Sequence, residues 1–465
     1  MRRGQKIFQQ KNTCDLTSGA MFGHQSKQVS YGRGIQHFPK VLDIPDQHPR
    51  AAQRNYFKIS IFNNDNSVLT WYTFYMLNSD FRRIIAMNTL AGIGMGLVGI
   101  FIPIYLLHLG YSVSIVITWL IVHHVTILLG AFLAVYLSNI IGLVQCWYVR
   151  IGLVILLFTG LFLIPTYPNI LFIVAFISGM EAAFFWIPYN ILTVRKTEEN
   201  TMGSSLALMT NVGAVFGIIV PLVAALIIIT YGYQLLFLFA FFFILVSIIP
   251  VLPLRHEKTK FHFNWLHIKQ IVKENRHFIV PEILDNLGQD AQVIWTLFLI
   301  ITSLTVLDIG ILGVISGLVG IVVTHITGSL IDKTDKKIVV RFGAVATTIM
   351  WTLSYLTAVY MPNPVALYLV TTLRGFALGI FASAYGVMMF NRARSSDAQF
   401  IVLREIPTVF GRVIVFMITL IFFASGIFEL SFLMIAIISL YFWFNNLDVL
   451  MERKVNDNPS FNAID

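Results

Sequence analysis

Gly328-Ser329-Leu330-Ile331-Asp332-Lys333-Thr334-Asp335-Lys336-Lys337 is a short charged turn set between two long apolar segments. Asp332 closes the first segment, and Lys333, Lys336 and Lys337 lead into the second. This is how a chain reads where it leaves a bilayer and re-enters it. The hydrocarbon core is about 30 Å thick, so a crossing helix needs about 20 apolar residues and must bond every backbone group within itself. The two flanking spans are predicted at 309 to 331 and 337 to 359.

Applied outward, the same reading places spans at 84 to 107, 112 to 137, 146 to 164, 168 to 190, 205 to 229, 232 to 252 and 286 to 305. Beyond the turn it places them at 364 to 389, 402 to 425 and 428 to 447. The composition agrees: 57% of the 465 residues are hydrophobic and 12% are charged, against about a quarter charged in soluble domains. The expected fold class is an all-α polytopic membrane protein with about 12 transmembrane helices.

A net charge of +9 raises the question of nucleic acid, and the placement of the basic residues answers it. With the N-terminus inside, Arg195, Lys196, the cluster Arg255, Lys258, Lys260, Lys269, Lys273 and Arg276, the 333 to 341 cluster, Arg392, Arg394, Arg453 and Lys454 all fall on one side. The connections around Leu109, Tyr167, Tyr231, Leu307, Pro362 and Gly426 carry no Lys or Arg. The positive-inside rule then makes both termini cytoplasmic, and the basicity is a topological signal. No nucleic-acid partner is expected. Cys14 and Cys146 are the only cysteines, so no disulfide framework is implied.

Short words recur at intervals that agree to within about one residue. Ile102 to Leu106 parallels Trp295 to Leu299, Leu137-Ser138-Asn139 parallels Leu330-Ile331-Asp332, and Val215-Phe216-Gly217 parallels Val409-Phe410-Gly411. Such spacing means two tandem six-helix halves. The domain reading is a polar basic tail over 1 to 78, a first bundle over 79 to 252, a cytoplasmic connection over 253 to 285, a second bundle over 286 to 450 and a tail over 451 to 465. Met76 is an alternative start to the chain.

With this architecture around it, the turn at 328 to 337 resembles the signature loop of the major facilitator superfamily. Asp335 stands where that family has a Gly, and in the first half Asn139 replaces the Asp while only Leu137 and Gly142 remain of the pattern. The resemblance implies two bundles that rock about a central site near the bilayer midplane. It also implies a gating loop comprising Gly328, Leu330, Asp332, Lys333, Lys336 and Lys337.

Ionisable residues at membrane depth are costly and usually face a cavity or a partner. Glu181 lies mid-way along the fourth span and shares a helical face with Phe185 and Tyr189. It reads either as a proton carrier or as a salt-bridged carboxyl of the core. Arg374, in the tenth span, is at a similar depth, and a pair between the two across the central cavity is possible. Arg412, in the eleventh span, shares a face with Glu405 and either contacts solute or orients its helix. His123 and His124 are adjacent and point about 100° apart, so one at most lines any given surface. Gln289 and Asp290 enter the seventh span far enough to touch solute. The sequence supplies no metal-ligand set, and no cofactor is expected.

A Gly-x-x-x-x-Gly-Lys-Ser/Thr loop is absent, which argues against ATP-driven transport within this chain. The resemblance implies a secondary transporter that moves a small solute by alternating access, and the expected coupling is to H+ through Glu181. It would act as a monomer in the lipid bilayer of the plasma membrane. The rival readings are a lipid or glycan flippase of another fold and a membrane-embedded transferase.

Overall fold

The computed structural model describes residues 78–197, 202–254, 257–259, 269–270, 272–273, 276–302, 304–333, 336–393 and 397–444. Among these residues the chain is helical with no strand. The helices are α1 (Ser79–His108, broken at Gly99 and Ile100), α2 (Val113–Ile140), α3 (Leu143–Leu163), α4 (Leu171–Lys196), α5 (Met202–Tyr231) and α6 (Tyr233–Val246). They continue as α7 (Arg276–Ile301), α8 (Val306–Lys333), α9 (Lys336–Tyr360), α10 (Pro364–Ala393), α11 (Asp397–Ala424) and α12 (Leu430–Phe444). Among the described residues eight stretches are long and apolar enough to cross a membrane, and Val215–Tyr231, Pro364–Ala377 and Leu430–Phe444 are shorter apolar helices. The chain is an integral membrane protein.

Local chemistry sets the ends. The Ser112 hydroxyl accepts from the Ile115 N–H at 3.3 Å and opens α2. Between α2 and α3 the chain turns at Gly142 with φ of 104°, a left-handed conformation that favours glycine. A Cβ there would also stand 3.3 Å from the Glu257 carbonyl oxygen.

The predicted spans match these helices to within a few residues, except at α7. That helix begins at Arg276 rather than 286, so the connection predicted at 253 to 285 is shorter. The missed turns carry Glu282 and Asp285, with Asn286 just beyond, all buried against protein, so hydropathy alone passed over them. α8 runs to Lys333 and α9 starts at Lys336, as the turn at 328 to 337 predicted. The side chains of Gly328, Leu330, Asp332, Lys333, Lys336 and Lys337 lie outside the described residues, as do residues 1–77.

The two halves pack by one plan. α1 lies against α5 and α6, α2 against α4, and α3 against α4 and α6; in the second half α7 lies against α11 and α12, α8 against α10, and α9 against α10 and α12. Between the halves, α2 packs on α11 and α5 on α8. These two contacts exchange under the same correspondence, as a tandem repeat requires. Small residues allow the closest approaches. Gly310 and Gly313 of α8 face Pro221 and Ala225 of α5, and Gly411 of α11 lies on the Ile283 carbonyl of α7.

A methyl group at Gly411 would collide with that backbone oxygen, whereas its repeat counterpart Gly217 has open space around it. Gly411→Ala is therefore expected to cost about 1–3 kcal/mol by overpacking, read as a lowered Tm in detergent. Gly217→Ala should leave the Tm unchanged.

Candidate functional site

The polar groups of the second half form a ladder between α7 and α11. On α7, Glu282, Asn286 and Asp290 recur every fourth residue and share one face; on α11, Arg404, Thr408 and Arg412 do the same. Glu282 Oε1 accepts from Arg404 Nε at 2.8 Å, from Thr408 Oγ1 at 2.9 Å and from Asn286 Nδ2 at 2.9 Å. Arg412 Nε donates to Asn286 Oδ1 at 3.1 Å and lies 3.7 Å from Asp290 Oδ2. The ladder ends by crossing to the first half, where His124 Nε2 of α2 stands 3.0 Å from Asp290 Oδ2.

His124, Asp290 and Arg412 each lie roughly 11–12 residues from the helix ends opposite the basic connections. At 1.5 Å per residue that is about 17 Å deep, close to the middle of a 30 Å core. His124, Asp290 and Arg412, three of the residues picked out in the sequence, are therefore brought together where the two halves meet.

The tautomer of His124 follows from its other nitrogen. Nδ1 is 2.8 Å from the Leu120 carbonyl oxygen, which can only accept, so Nδ1 carries a proton. A neutral His124 would then face Asp290 with a bare Nε2, and Oδ2 would be a buried oxygen with no hydrogen-bond donor. Two acceptors at 3.0 Å repel; one more proton between them turns the contact into a charge-assisted hydrogen bond. His123, by contrast, turns away and stacks on Trp119, with ring centroids 5.7 Å apart and planes within 5°.

Glu181 is placed elsewhere. Its Oε1 accepts from Arg150 Nε of α3 at 2.6 Å, both side chains are buried, and the Arg150 guanidinium sits 4.3 Å over the Phe185 ring. Phe185 stacks on Tyr189, whose hydroxyl reaches Met209 Sδ of α5 at 2.9 Å. The face of Glu181, Phe185 and Tyr189 thus packs inside the first bundle. The pair considered between Glu181 and Arg374 does not form, because each is claimed by its own half.

Arg374 Nη2 donates to Gln292 Oε1 of α7 at 2.5 Å. Its guanidinium lies 3.8 Å from the Trp351 ring centroid and 4.8 Å from that of Trp295. It lines a cavity of about 40 Å3 between α7, α9, α10 and α12, with room for a few water molecules. The backbone of Gln289 is helical and its side chain is outside the described residues.

At the basic end of the first half, the loop that departs from the signature has a different partner. Asn139 is bonded by Thr259, Ser138 Oγ is 2.6 Å from Thr259 Oγ1, and the Leu143 N–H donates to the Glu257 carbonyl at 2.8 Å. Lys196 pairs with Glu257 and, at 3.1 Å, with Asp80. The connection between the halves is therefore strapped to the first bundle.

Arg150, Glu282, Asn286, Arg404 and Gln292 were not anticipated. The fourfold spacing of Glu282, Asn286 and Asp290 and of Arg404, Thr408 and Arg412 was the available signal for the ladder. Arg150 stands two turns into α3 from Leu143, and a lone basic residue so near a helix end gives no sign in the sequence that it is buried. Among the described residues no group of three or more His, Cys, Asp or Glu side chains could hold a metal ion.

Comparison with known proteins gives one family match, to the Major Facilitator Superfamily over residues 84–395. No curated protein matches by sequence. Among solved structures, the chain is similar to a point mutant of the nucleoside transporter NupG, at 16% identity and a TM-score of 0.59, covering 79% of this chain and 98% of that one. It is similar to a POT family transporter in complex with 5-aminolevulinic acid, at 11% identity and a TM-score of 0.60, covering 78% of this chain and 94% of that one. A D-xylose-proton symporter aligns at 14% identity and a TM-score of 0.54, covering 79% of this chain and 96% of that one. At these identities the likeness concerns the fold.

Proposed function

The chain belongs to the major facilitator superfamily, and from that premise we propose that this secondary transporter is driven by protons, with the coupling proton held between His124 and Asp290. It is a transporter and not an enzyme. The observation that carries the proposal is the 3.0 Å contact between two atoms that both accept when His124 is neutral. The contact lies between α2 of one half and α7 of the other. Proton occupancy therefore acts on the relation between the halves, which is the coordinate that alternating access uses.

With the proton in place, His124 and Asp290 bind the halves together at mid-depth. Without it the contact is repulsive, and Asp290 is left with Arg412 at 3.7 Å as its cation. A ligand shifts a two-state equilibrium only through a difference in its interaction with the two states; the proton has such a difference here. Glu181 is the second candidate, but its Oε1 is held by Arg150 Nε at 2.6 Å inside the first bundle, away from the junction of the halves.

The test uses the purified full chain in liposomes with the outside acidic and a mixed pool of small metabolites supplied. Wild type should concentrate a solute, and a protonophore should abolish the effect. His124→Gln, which keeps a hydrogen-bonding side chain but takes up no proton, should also abolish it. Accumulation that persists after the gradient collapses would exclude proton coupling, and a His124→Gln protein that accumulates like wild type would remove this contact from the mechanism.

A further inference from the structure

We infer that the transported solute is a monoanion, such as a monocarboxylate, and that Arg412 is the residue that recognises its charge. The inference rests on the proton-coupled reading above and begins from the free edge of the Arg412 guanidinium. Only Nε is engaged, by Asn286 Oδ1 at 3.1 Å and by Asp290 Oδ2 at 3.7 Å. Neither Nη makes a hydrogen bond among the described residues, and neither is sealed from solvent. The side chain is 25% exposed, more than its partners Asp290 at 15% and His124 at 8%. The two Nη groups present a planar fork of donors, the shape that suits a carboxylate.

Charge balance gives the fork its occupant. With the proton bound, the cluster holds a protonated His124, an ionised Asp290 and Arg412, a net charge of +1. After the proton leaves, His124 is neutral, Asp290 and Arg412 cancel, and the net charge is zero. An unbalanced charge at mid-depth is costly, so the protonated cluster needs an anion and the deprotonated cluster does not.

The other charged groups facing the cluster do not supply that anion. Glu282 is bound by Arg404 at 2.8 Å and by Thr408 and Asn286. Glu405, buried on α11, interacts electrostatically with Arg404 and Arg412, but seven residues and about 10 Å of helical rise away it makes no hydrogen bond to the Arg412 fork. His123 could add only positive charge. A monoanion on the Arg412 fork restores neutrality, and each of the two ligands then raises the affinity for the other, as reciprocal linkage requires. One proton and one monoanion cross together and return the carrier empty and neutral. Transport is therefore electroneutral.

The test supplies proteoliposomes with an equimolar pool of monocarboxylates, their amides, primary amines and polyols, under an inward proton gradient. The contents are then read by mass spectrometry. Wild type should accumulate monocarboxylates and not their amides, and a potassium diffusion potential imposed at constant pH should leave uptake unchanged. Arg412→Gln should lower uptake at least about tenfold, the scale of one hydrogen bond to a charged group. Arg412→Lys should recover part of it, and Glu405→Gln should behave as wild type.

Gradient-driven accumulation of an amide, amine or polyol overturns the monoanion inference and leaves proton coupling standing. So does uptake driven by the membrane potential, or an Arg412→Gln protein that transports normally. If wild type accumulates nothing from the pool under a gradient, proton coupling and the inference fall together. Should Arg412→Gln fail to fold, solute selectivity and indifference to potential are still read on wild type.

Discussion

Asp290→Asn should reduce gradient-driven accumulation to equilibration while leaving solute exchange across the membrane intact. A proton gradient of two pH units is worth about 2.7 kcal/mol per proton, so electroneutral symport of one proton sustains about a hundredfold accumulation. Asparagine has the shape of aspartate and can donate from Nδ2 to His124 Nε2, whose Nδ1 remains committed to the Leu120 carbonyl. The link from α2 to α7 is then satisfied without a titratable proton. The variant keeps the contact and loses the switch, so the expected internal-to-external ratio is about one. Counterflow, in which labelled solute exchanges against unlabelled, isolates the rocking step from the driving force and should continue. If Asp290→Asn still accumulates solute under the gradient, the coupling proton lies elsewhere.

A structural outcome separates this prediction from simple damage. Asp290 sits at the junction of the halves with its other neighbour, Arg412, at 3.7 Å, and the Asn286 contact to Arg412 Nε is untouched by the change. Without solute the Tm of Asp290→Asn should fall, because Arg412 loses its counter-charge at mid-depth, and a bound monoanion should restore it. A fall that a monoanion does not restore would mean that the carboxylate is part of the scaffold, and lost accumulation could then no longer be assigned to coupling.

Most of the fold was legible because the bilayer imposes it on the sequence. Twenty-residue apolar runs, basic residues gathered on alternate connections and words repeated at nearly equal intervals all survive in a linear reading. α7 was misjudged at its start because Glu282, Asp285 and Asn286 are hidden from lipid by protein, so a polar stretch is still helix. The site was legible in depth and not in direction. Counting residues from a helix end gives the level of His124, Asp290 and Arg412. Which neighbour each one meets depends on helix rotation and on the crossing of the halves, which no single span encodes. For the same reason Glu181 and Arg374, level with each other, looked like partners although each faces inward within its own bundle.

Glu181→Gln and Arg150→Met should each destabilise the protein by about 3–5 kcal/mol, the cost of leaving one buried charge without its partner. Arg150 keeps its place over the Phe185 ring in the first variant, but its Nη2 has no hydrogen-bond partner even in wild type, so nothing nearby absorbs the lost carboxylate. The double variant Arg150→Met with Glu181→Leu removes both charges and fills similar volume. It should recover most of the lost stability, as replaced buried ion pairs commonly do. Thermal unfolding in detergent reads all three variants. Transport by the double variant decides the role of the pair, since a scaffold pair can be replaced by apolar side chains and a proton site cannot. Retained gradient-driven uptake leaves His124 and Asp290 as the coupling site. A stable double variant that exchanges solute but no longer accumulates it would move the proton to Glu181, and the bundle that senses the gradient would then be the first rather than the junction of the two.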